Sequence, residues 1–97
     1  MKPNISLDSI VVATPEHVAT DLAGKTAILN LKNSTYYSLD EIGAPIWELL
    51  KQERRVAEIR DAMTQKFDVQ PQQCEADLLI FLQSLAEQQL IEVKSMS

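Results

Sequence analysis

The hydrophobic period of the chain changes at Asp40, and no other feature constrains the fold as strongly. Before Asp40, short runs rich in β-branched residues are separated by turns that contain Pro, Gly or Asn, a pattern typical of strands. After Asp40, apolar residues recur every three or four positions, as they do on one face of a helix. Because the strands come first and the helices follow, the order predicts an α+β domain.

The first part of the chain is predicted to form a three-stranded antiparallel sheet. Turn clusters follow one another at short intervals, which favours hairpins over crossover connections. In the last run, side chains alternate, so that Tyr37 and Leu39 share one face while Tyr36 and Ser38 share the other. A sheet this small needs helices on one face to be stable. The strand-like runs are Ile10–Ala13, followed by the alternating Val18, Thr20 and Leu22, then Thr26–Leu31 as the second run and Thr35–Leu39 as the third.

The second part of the chain is predicted to form three helices that cover this sheet. Pro45 falls inside the first helix, so either regular helix begins near Ala44 or Asp40 caps a distorted first turn. After the helices, residues Leu90–Val93 either pair with the sheet or pack under it. The apolar helix faces comprise Ile42, Ile46, Leu49 and Leu50 with Trp47 beside them; Val56, Ile59, Met63 and Phe67; and Cys74, Leu78, Phe81, Leu82 and Leu85.

The composition of the chain favours binding over catalysis. The 97 residues carry a net charge of −5 and include one Cys and one His. These two residues can build neither an internal disulfide nor a zinc site of thiolates and imidazoles. No apolar run approaches the roughly 20 residues of a membrane span, and the N-terminus lacks the apolar core of a signal peptide. We therefore expect a cytoplasmic protein with no metal, no cofactor, no membrane partner and no catalytic residues.

Three helices with a small sheet describe a winged helix-turn-helix, which suggests a transcriptional regulator. A recognition helix carries Arg, Lys, Asn or Gln toward the bases, with positive charge beside it for the phosphates. From Pro71 to Ile91 the third helix has no Lys or Arg, and it carries Glu75, Asp77 and Glu87 instead. The charge distribution therefore disfavours nucleic acid as a partner, and the regulator remains an alternative from another functional class.

Several segments, taken in order, form a pattern that is more specific than any one of them. These segments are Tyr37-Ser38-Leu39-Asp40, Gly43-Ala44-Pro45-Ile46-Trp47-Glu48-Leu49-Leu50, Val56-Ala57-Glu58-Ile59, Asp77 ahead of Phe81-Leu82 and Leu85, and Leu90-Ile91. The ordered set resembles the PqqD-like family, whose members are the recognition elements for precursors of ribosomally synthesised and post-translationally modified peptides (RiPPs). The similarity covers residues 9–93, which we predict to be one domain between tails of residues 1–8 and 94–97. The segments Val18–Gly24 and Asp68–Asp77 look most like the stand-alone protein (B1 type) of lasso-peptide clusters.

The resemblance implies a mechanism without catalysis. Relatives bind the leader of a precursor peptide as an added strand, antiparallel to the third strand and in a groove beside the third helix, which is β-augmentation. The strand edge at Thr35–Leu39 lacks the Pro or charge that usually protects an edge. A monomer is expected, although this edge also allows a dimer or a domain swap. The predicted leader-binding residues are Thr35, Tyr36, Tyr37, Ser38, Leu39, Cys74, Asp77, Leu78 and Phe81.

For lasso-peptide clusters, the resemblance further implies delivery of the leader to a leader peptidase of transglutaminase-like type, with a cyclase acting afterwards. The alternative within the class is delivery to a radical-SAM enzyme in quinone-cofactor synthesis. One basic patch lies between the first two helices and is interpreted either as a partner-enzyme surface or as a solvated turn. Its residues are Lys51, Arg54, Arg55 and Arg60.

Four residues bear on local structure rather than on function. Cys74 is predicted to be a buried apolar residue, and His17 a surface turn residue. Where relatives have a Thr or Ser that caps the second helix, this chain has Arg55, and such a loss costs about 1 kcal/mol. Where relatives have a Gly after the third helix, this chain has Gln89, which is less suited to the left-handed conformation of a helix end.

Overall fold

Two antiparallel sheets and three helices make up the residues that the computed structural model describes, which are 5–22 and 25–94. The α+β prediction is confirmed, and the winged helix-turn-helix description remains a prediction. The turn predicted at Ala23-Gly24 and the tail residues 1–4 and 95–97 lie outside the described residues. The elements are β1 (Ile10–Ala13), β2 (His17–Leu22), β3 (Lys25–Asn30), β4 (Tyr36–Leu39), α1 (Gly43–Leu49), β5 (Arg54–Arg55), α2 (Val56–Lys66), α3 (Pro71–Glu87) and β6 (Ile91–Lys94).

The first sheet is the predicted meander, with strand order β2-β3-β4. Its register places Val18 opposite Leu29, and Leu29 opposite Tyr36. Alternation along β3 buries Ile28 completely, whereas Leu29 on the other face is exposed. The sheet therefore presents one face to the core and one to solvent, and β4 is an edge strand.

The second sheet has the order β5-β1-β6 and was not predicted. It contains Ile10–Ala13 (β1), whose predicted place in the meander is therefore wrong. Strand β1 pairs with the C-terminal strand β6, from Ile10 opposite Lys94 to Ala13 opposite Ile91. The sequence left open whether the segment at Leu90–Val93 pairs or packs, and the structure shows pairing. Pairing between the two ends of the chain cannot be inferred from local turn signals, which is why this sheet escaped prediction.

The N-terminus of α2 shows how the chain tolerates Arg55 where relatives have a capping hydroxyl. The first two helical N–H groups, those of Val56 and Ala57, donate to the carbonyls of Ser9 and Leu7. The Arg55 N–H donates to Oε1 of Glu58 at 3.3 Å. Donors at a helix start need some acceptor, and backbone carbonyls serve as well as a side chain. Leu7, within the predicted N-terminal tail, therefore contacts the domain.

The start of α1 combines the two forms expected around Pro45, because regular helix begins at Gly43, one residue before Ala44, and Asp40 caps the turn that precedes it. Oδ1 of Asp40 accepts hydrogen bonds from the N–H groups of Ile42 and Gly43, at 3.0 and 2.7 Å. Asp40 thus caps a short first turn, and Pro45 lies close enough to the helix start to cost no hydrogen bond. On the buried side of this helix, Trp47 is almost completely enclosed.

The C-terminus of α3 is fixed to the meander by Asn30. Nδ2 of this buried side chain donates to the carbonyls of Gln88 and Gln89, at 3.1 and 2.9 Å. Gln89 has a φ of 60°, and the N–H groups of Gln89 and Leu90 return to the carbonyls of Ala86 and Leu85. This is a Schellman motif with a non-glycine residue in the left-handed position. The two hydrogen bonds from Asn30 to this helix end set where α3 lies relative to the meander.

Candidate functional site

The outer edge of β4 offers backbone groups that no strand within residues 5–22 and 25–94 occupies. The Asn30 N–H donates to the Thr35 carbonyl at 2.8 Å, immediately before the ladder begins. Residues of an antiparallel pair point their N–H and C=O groups alternately toward and away from the partner. Tyr37 and Leu39 therefore bond to β3, whereas Tyr36 and Ser38 direct their N–H and C=O groups to the open edge.

An apolar groove of about 520 Å³ runs beside this edge, between β4 and the helices. Its floor is made by buried residues of the core, and one wall is α3. The groove is partly open to solvent. The lining residues are Lys25, Tyr37, Ser38, Leu39, Asp40, Ile42, Gly43, Ile46, Met63, Phe67, Val69, Cys74, Asp77, Leu78 and Phe81.

Phe81 and Tyr37 contact each other across the groove. Their rings meet edge to face, with centroids 6.4 Å apart. The Phe81 ring also lies against the start of α1, where a Cβ at Gly43 would be 3.2 Å from Phe81 Cζ and 3.4 Å from Leu39 Cδ2. The 3.2 Å separation is tighter than an ordinary van der Waals contact, so the absence of a side chain at Gly43 lets the Phe81 ring take this position.

The structure brings together seven of the nine leader-binding residues predicted from sequence. Leu39, Cys74 and Leu78 form part of the buried floor, while Tyr37 and Phe81 are half-buried walls. Ser38 and Asp77 lie at the exposed margin.

The other two residues lie outside the groove lining. The Tyr36 side chain projects to the opposite face of the sheet and is 64% exposed, although its backbone faces the open edge. Thr35 precedes β4, and its N–H already donates to Oδ1 of Asn33. Of these two residues, only Tyr36 presents an unoccupied backbone pair to a new strand.

Sequence reasoning missed the wall that α1, α2 and the segment after α2 contribute. Met63, Phe67 and Val69 line the groove beyond the end of β4. Ile42 was assigned to a core-facing stripe, yet it is 46% exposed and lines the groove. The sequence signal that could have corrected the assignment of Ile42 was the nearby Pro45. This proline displaces the helix start, so Ile42 is turned away from the apolar stripe of the helix.

Acidic groups lie along the groove margin. Asp40 and Asp77 both line it, with Lys25 as the cationic residue in that lining. Nε2 of Gln73 donates to Oδ1 of Asp77 at 3.1 Å, which orients the carboxylate. Burial raises the pKa of the Cys74 thiol, and the negative charge of Asp77 raises it further. The thiol is therefore held in its protonated form, which is the opposite of an activated nucleophile.

The basic patch predicted between the first two helices has its charges engaged locally. Arg60 bonds to Glu75 of α3 at 2.7 Å and to Asp61 at 3.0 Å, and these two partners raise the pKa of its guanidinium. Arg54 donates through Nε to the carbonyl of Leu49, and Lys51 pairs with Glu48. Arg60 thus ties α2 to α3.

His17 lies at the start of a strand and packs against the ring of Trp47. It was predicted as a surface turn residue, but it begins β2, where its ring contacts Trp47 edge to face at 5.0 Å and Nδ1 lies 2.6 Å from the Thr14 carbonyl. Within residues 5–22 and 25–94, no group of three His, Cys, Asp or Glu side chains could hold a metal ion. None of their helices is sufficiently long and apolar to span a bilayer.

An unpaired strand edge beside an apolar groove is the arrangement of domains that accept an extended peptide as an additional strand. A sequence profile described as "Coenzyme PQQ synthesis protein D (PqqD)" matches residues 25–91. The chain therefore belongs to the PqqD family, as its resemblance predicted. No curated protein matches it.

The chain is also similar to a solved structure described as TbiB1 in complex with the TbiA(beta) leader peptide. The two sequences are 33% identical, and the match covers 84% of this chain and 94% of the other. The structures agree with a TM-score of 0.77.

Proposed function

We propose that this protein binds the leader region of a ribosomally synthesised precursor peptide by adding the leader as a fourth strand to β4. The open backbone pairs of Tyr36 and Ser38, beside the apolar groove, are the observation that supports this proposal most directly. Main-chain hydrogen bonds at the edge supply affinity, while pockets for alternate side chains supply specificity. The TbiB1 complex, a relative bound to a leader peptide, supports the same assignment.

The geometry indicates what the leader must present. Residues opposite Tyr37 and Leu39 share the face of those side chains, so they point into the groove. The lining is largely apolar, which favours apolar leader residues at alternate positions. Because Asp40 and Asp77 border the groove, a Lys or Arg in the leader would meet a complementary charge there. Running antiparallel to β4, the leader would have its N-terminal end nearest Asp40.

We further propose that the bound precursor is handed to a separate leader peptidase of transglutaminase-like type, in lasso-peptide maturation, before a cyclase acts. Tethering the leader raises the effective concentration of the scissile region at the enzyme and needs no catalytic group in this chain. The basic patch at Lys51, Arg54 and Arg55 remains a proposed contact for that enzyme. Arg60 is less suited, because its guanidinium is held by Glu75.

A second candidate is presentation of a precursor to a radical-SAM enzyme in quinone-cofactor synthesis. The description of the matching family favours this reading, whereas the similarity to a leader-bound TbiB1 favours the first. The two functions differ in the peptide that is bound. A labelled leader from the precursor encoded beside this gene, compared with a quinone-cofactor precursor, distinguishes them by fluorescence polarisation.

The groove itself is tested with Phe81→Ala in the same polarisation assay. We expect at least a tenfold loss of leader affinity, about 1.4 kcal/mol, because the leader loses the aromatic wall that pairs with Tyr37. Ile80→Ala is the matched control, since Ile80 lies on the same helix but is 68% exposed and outside the groove lining. Unchanged affinity in a folded Phe81→Ala protein would place the peptide elsewhere.

A further inference from the structure

The helix α3 is attached to the rest of the domain near both of its ends. At the C-terminal end, the Asn30 side chain donates to the carbonyls of Gln88 and Gln89. Near the N-terminal end, Oε1 of Glu75 accepts a hydrogen bond from Nη1 of Arg60 on α2, at 2.7 Å. The residues of α3 that line the groove lie beside or between these two attachments.

The ion pair between Arg60 and Glu75 is partly shielded from solvent. The two side chains are 24% and 30% exposed. The same guanidinium also pairs with Asp61, its neighbour on α2, at 3.0 Å, but the Asp61 side chain is 61% exposed. An ion pair in full contact with water contributes little, whereas a short charge-assisted hydrogen bond is stronger. Of these two ion pairs, the one with Glu75 connects α2 to α3.

This connection lies directly behind the wall of the groove. Met63 and Phe67 follow Arg60 by about one and two helical turns, so the three residues lie on the same side of α2. Met63 and Phe67 both line the groove. On α3, Glu75 follows Cys74, which lines the groove floor and whose thiol lies 4.0 Å from the Arg60 carbonyl. The ion pair thus joins the two helices next to the part of the groove that they line together.

We propose that Arg60 and Glu75 are positioning residues for leader binding, because their ion pair holds the α2 wall at Met63 and Phe67 in place against α3. The inference rests on the proposed function, since it concerns the same groove. Neither Arg60 nor Glu75 belongs to the groove lining, so both act through the wall residues. A wall that is not held in place must be ordered when the leader binds, and this ordering lowers the affinity.

The test compares Glu75→Ala with Asp61→Ala, two variants that each remove one carboxylate partner of Arg60. Glu75→Ala breaks the connection between the helices, whereas Asp61→Ala leaves it in place and is the matched control. Both changes are also made in a Phe67→Leu background, which lacks the aromatic ring of the α2 wall but keeps an apolar side chain. Fluorescence polarisation measures affinity for the labelled leader of the precursor encoded beside this gene, and thermal unfolding shows which variants are folded.

We expect Glu75→Ala to weaken leader binding by about fivefold or more in the wild-type background, but by about twofold or less in the Phe67→Leu background. The two losses differ because Glu75 acts through the position of Phe67. Asp61→Ala should stay within about twofold of its parent in both backgrounds. If Glu75→Ala does not fold, Glu75→Gln takes its place, with an expected loss of about threefold, because it removes the charge but keeps an acceptor for Arg60.

Wild-type affinity in the folded Glu75 variant would overturn the inference and leave the proposed function intact. An equal fold-loss in both backgrounds would also overturn it, because the ion pair would then stabilise the domain as a whole without positioning Phe67. A loss in Asp61→Ala as large as that in the Glu75 variant would do the same. Failure of the wild type to bind any leader would instead overturn the proposed function.

Discussion

Substitution of Ser38 by proline tests the assignment of β4 as the strand that receives the leader. The Ser38 N–H points to the open edge, so proline removes a donor that the incoming leader would use, while the ladder to β3 keeps its hydrogen bonds. The leader carbonyl opposite would be left without a donor, which costs about 1–3 kcal/mol. We therefore expect a loss of leader affinity of roughly fivefold to 150-fold.

Fluorescence polarisation with a labelled leader measures this loss, and circular dichroism with thermal unfolding shows whether the variant is folded. Ser38→Ala is the control that removes the hydroxyl but keeps the N–H, and it should bind as the wild type does. Tyr37→Pro is the opposite control, because the Tyr37 N–H faces β3 and its loss should destabilise the domain. The assignment of β4 as the receiving strand would be refuted if folded Ser38→Pro bound the leader as tightly as Ser38→Ala.

Gly43→Ala should weaken leader binding roughly threefold to tenfold in the polarisation assay, because a Cβ 3.2 Å from Phe81 Cζ moves that ring toward the groove; wild-type affinity would contradict this. Stability should change by less than about 1 kcal/mol, since alanine gains helix propensity. The raised pKa of the Cys74 thiol predicts slow alkylation by iodoacetamide at pH 8, slower still with leader bound. Because the folded thiol favours its protonated form, the stability advantage over Cys74→Ala should shrink as the pH rises above the thiol pKa of the unfolded chain. Alkylation of the folded protein by iodoacetamide at the rate of the unfolded chain would contradict the prediction of slow alkylation. Gln89→Gly should raise stability by about 1 kcal/mol in chemical denaturation, because φ is 60° at this position; no gain would show that the Gln89 side chain compensates.

The sequence predicted most of the elements because they depend on local patterns. Alternation in Thr35–Leu39 placed Tyr37 and Leu39 on one face and Tyr36 on the other, and the burial of Leu39 and the exposure of Tyr36 show which face is the inner one. The three helices were predicted from apolar residues spaced three or four apart. The family resemblance identified Gln89 as a residue less suited to a helix end, because relatives have Gly there, and its positive φ agrees.

Other features depend on contacts between residues far apart in the chain. The pairing of β1 with β6 joins both ends of the domain, and the caps on α2 come from the carbonyls of Leu7 and Ser9. Neither feature leaves a local sequence pattern, because the partner groups are backbone atoms, which every residue carries. The groove wall at Met63 and Phe67 was missed because it also depends on the packing of elements that are far apart in the chain.

The change of period at Asp40 and the turn clusters before it determined an α+β order, a meander whose last strand has an unprotected edge, and an apolar face on α3. The tertiary structure alone decided that α3 lies beside β4 at a distance that leaves a groove, through the Asn30 bonds to the end of α3 and the missing side chain at Gly43. It also decided which backbone groups of β4 remain open. Local pattern specifies which face of an element is apolar, but only packing specifies whether another element covers that face.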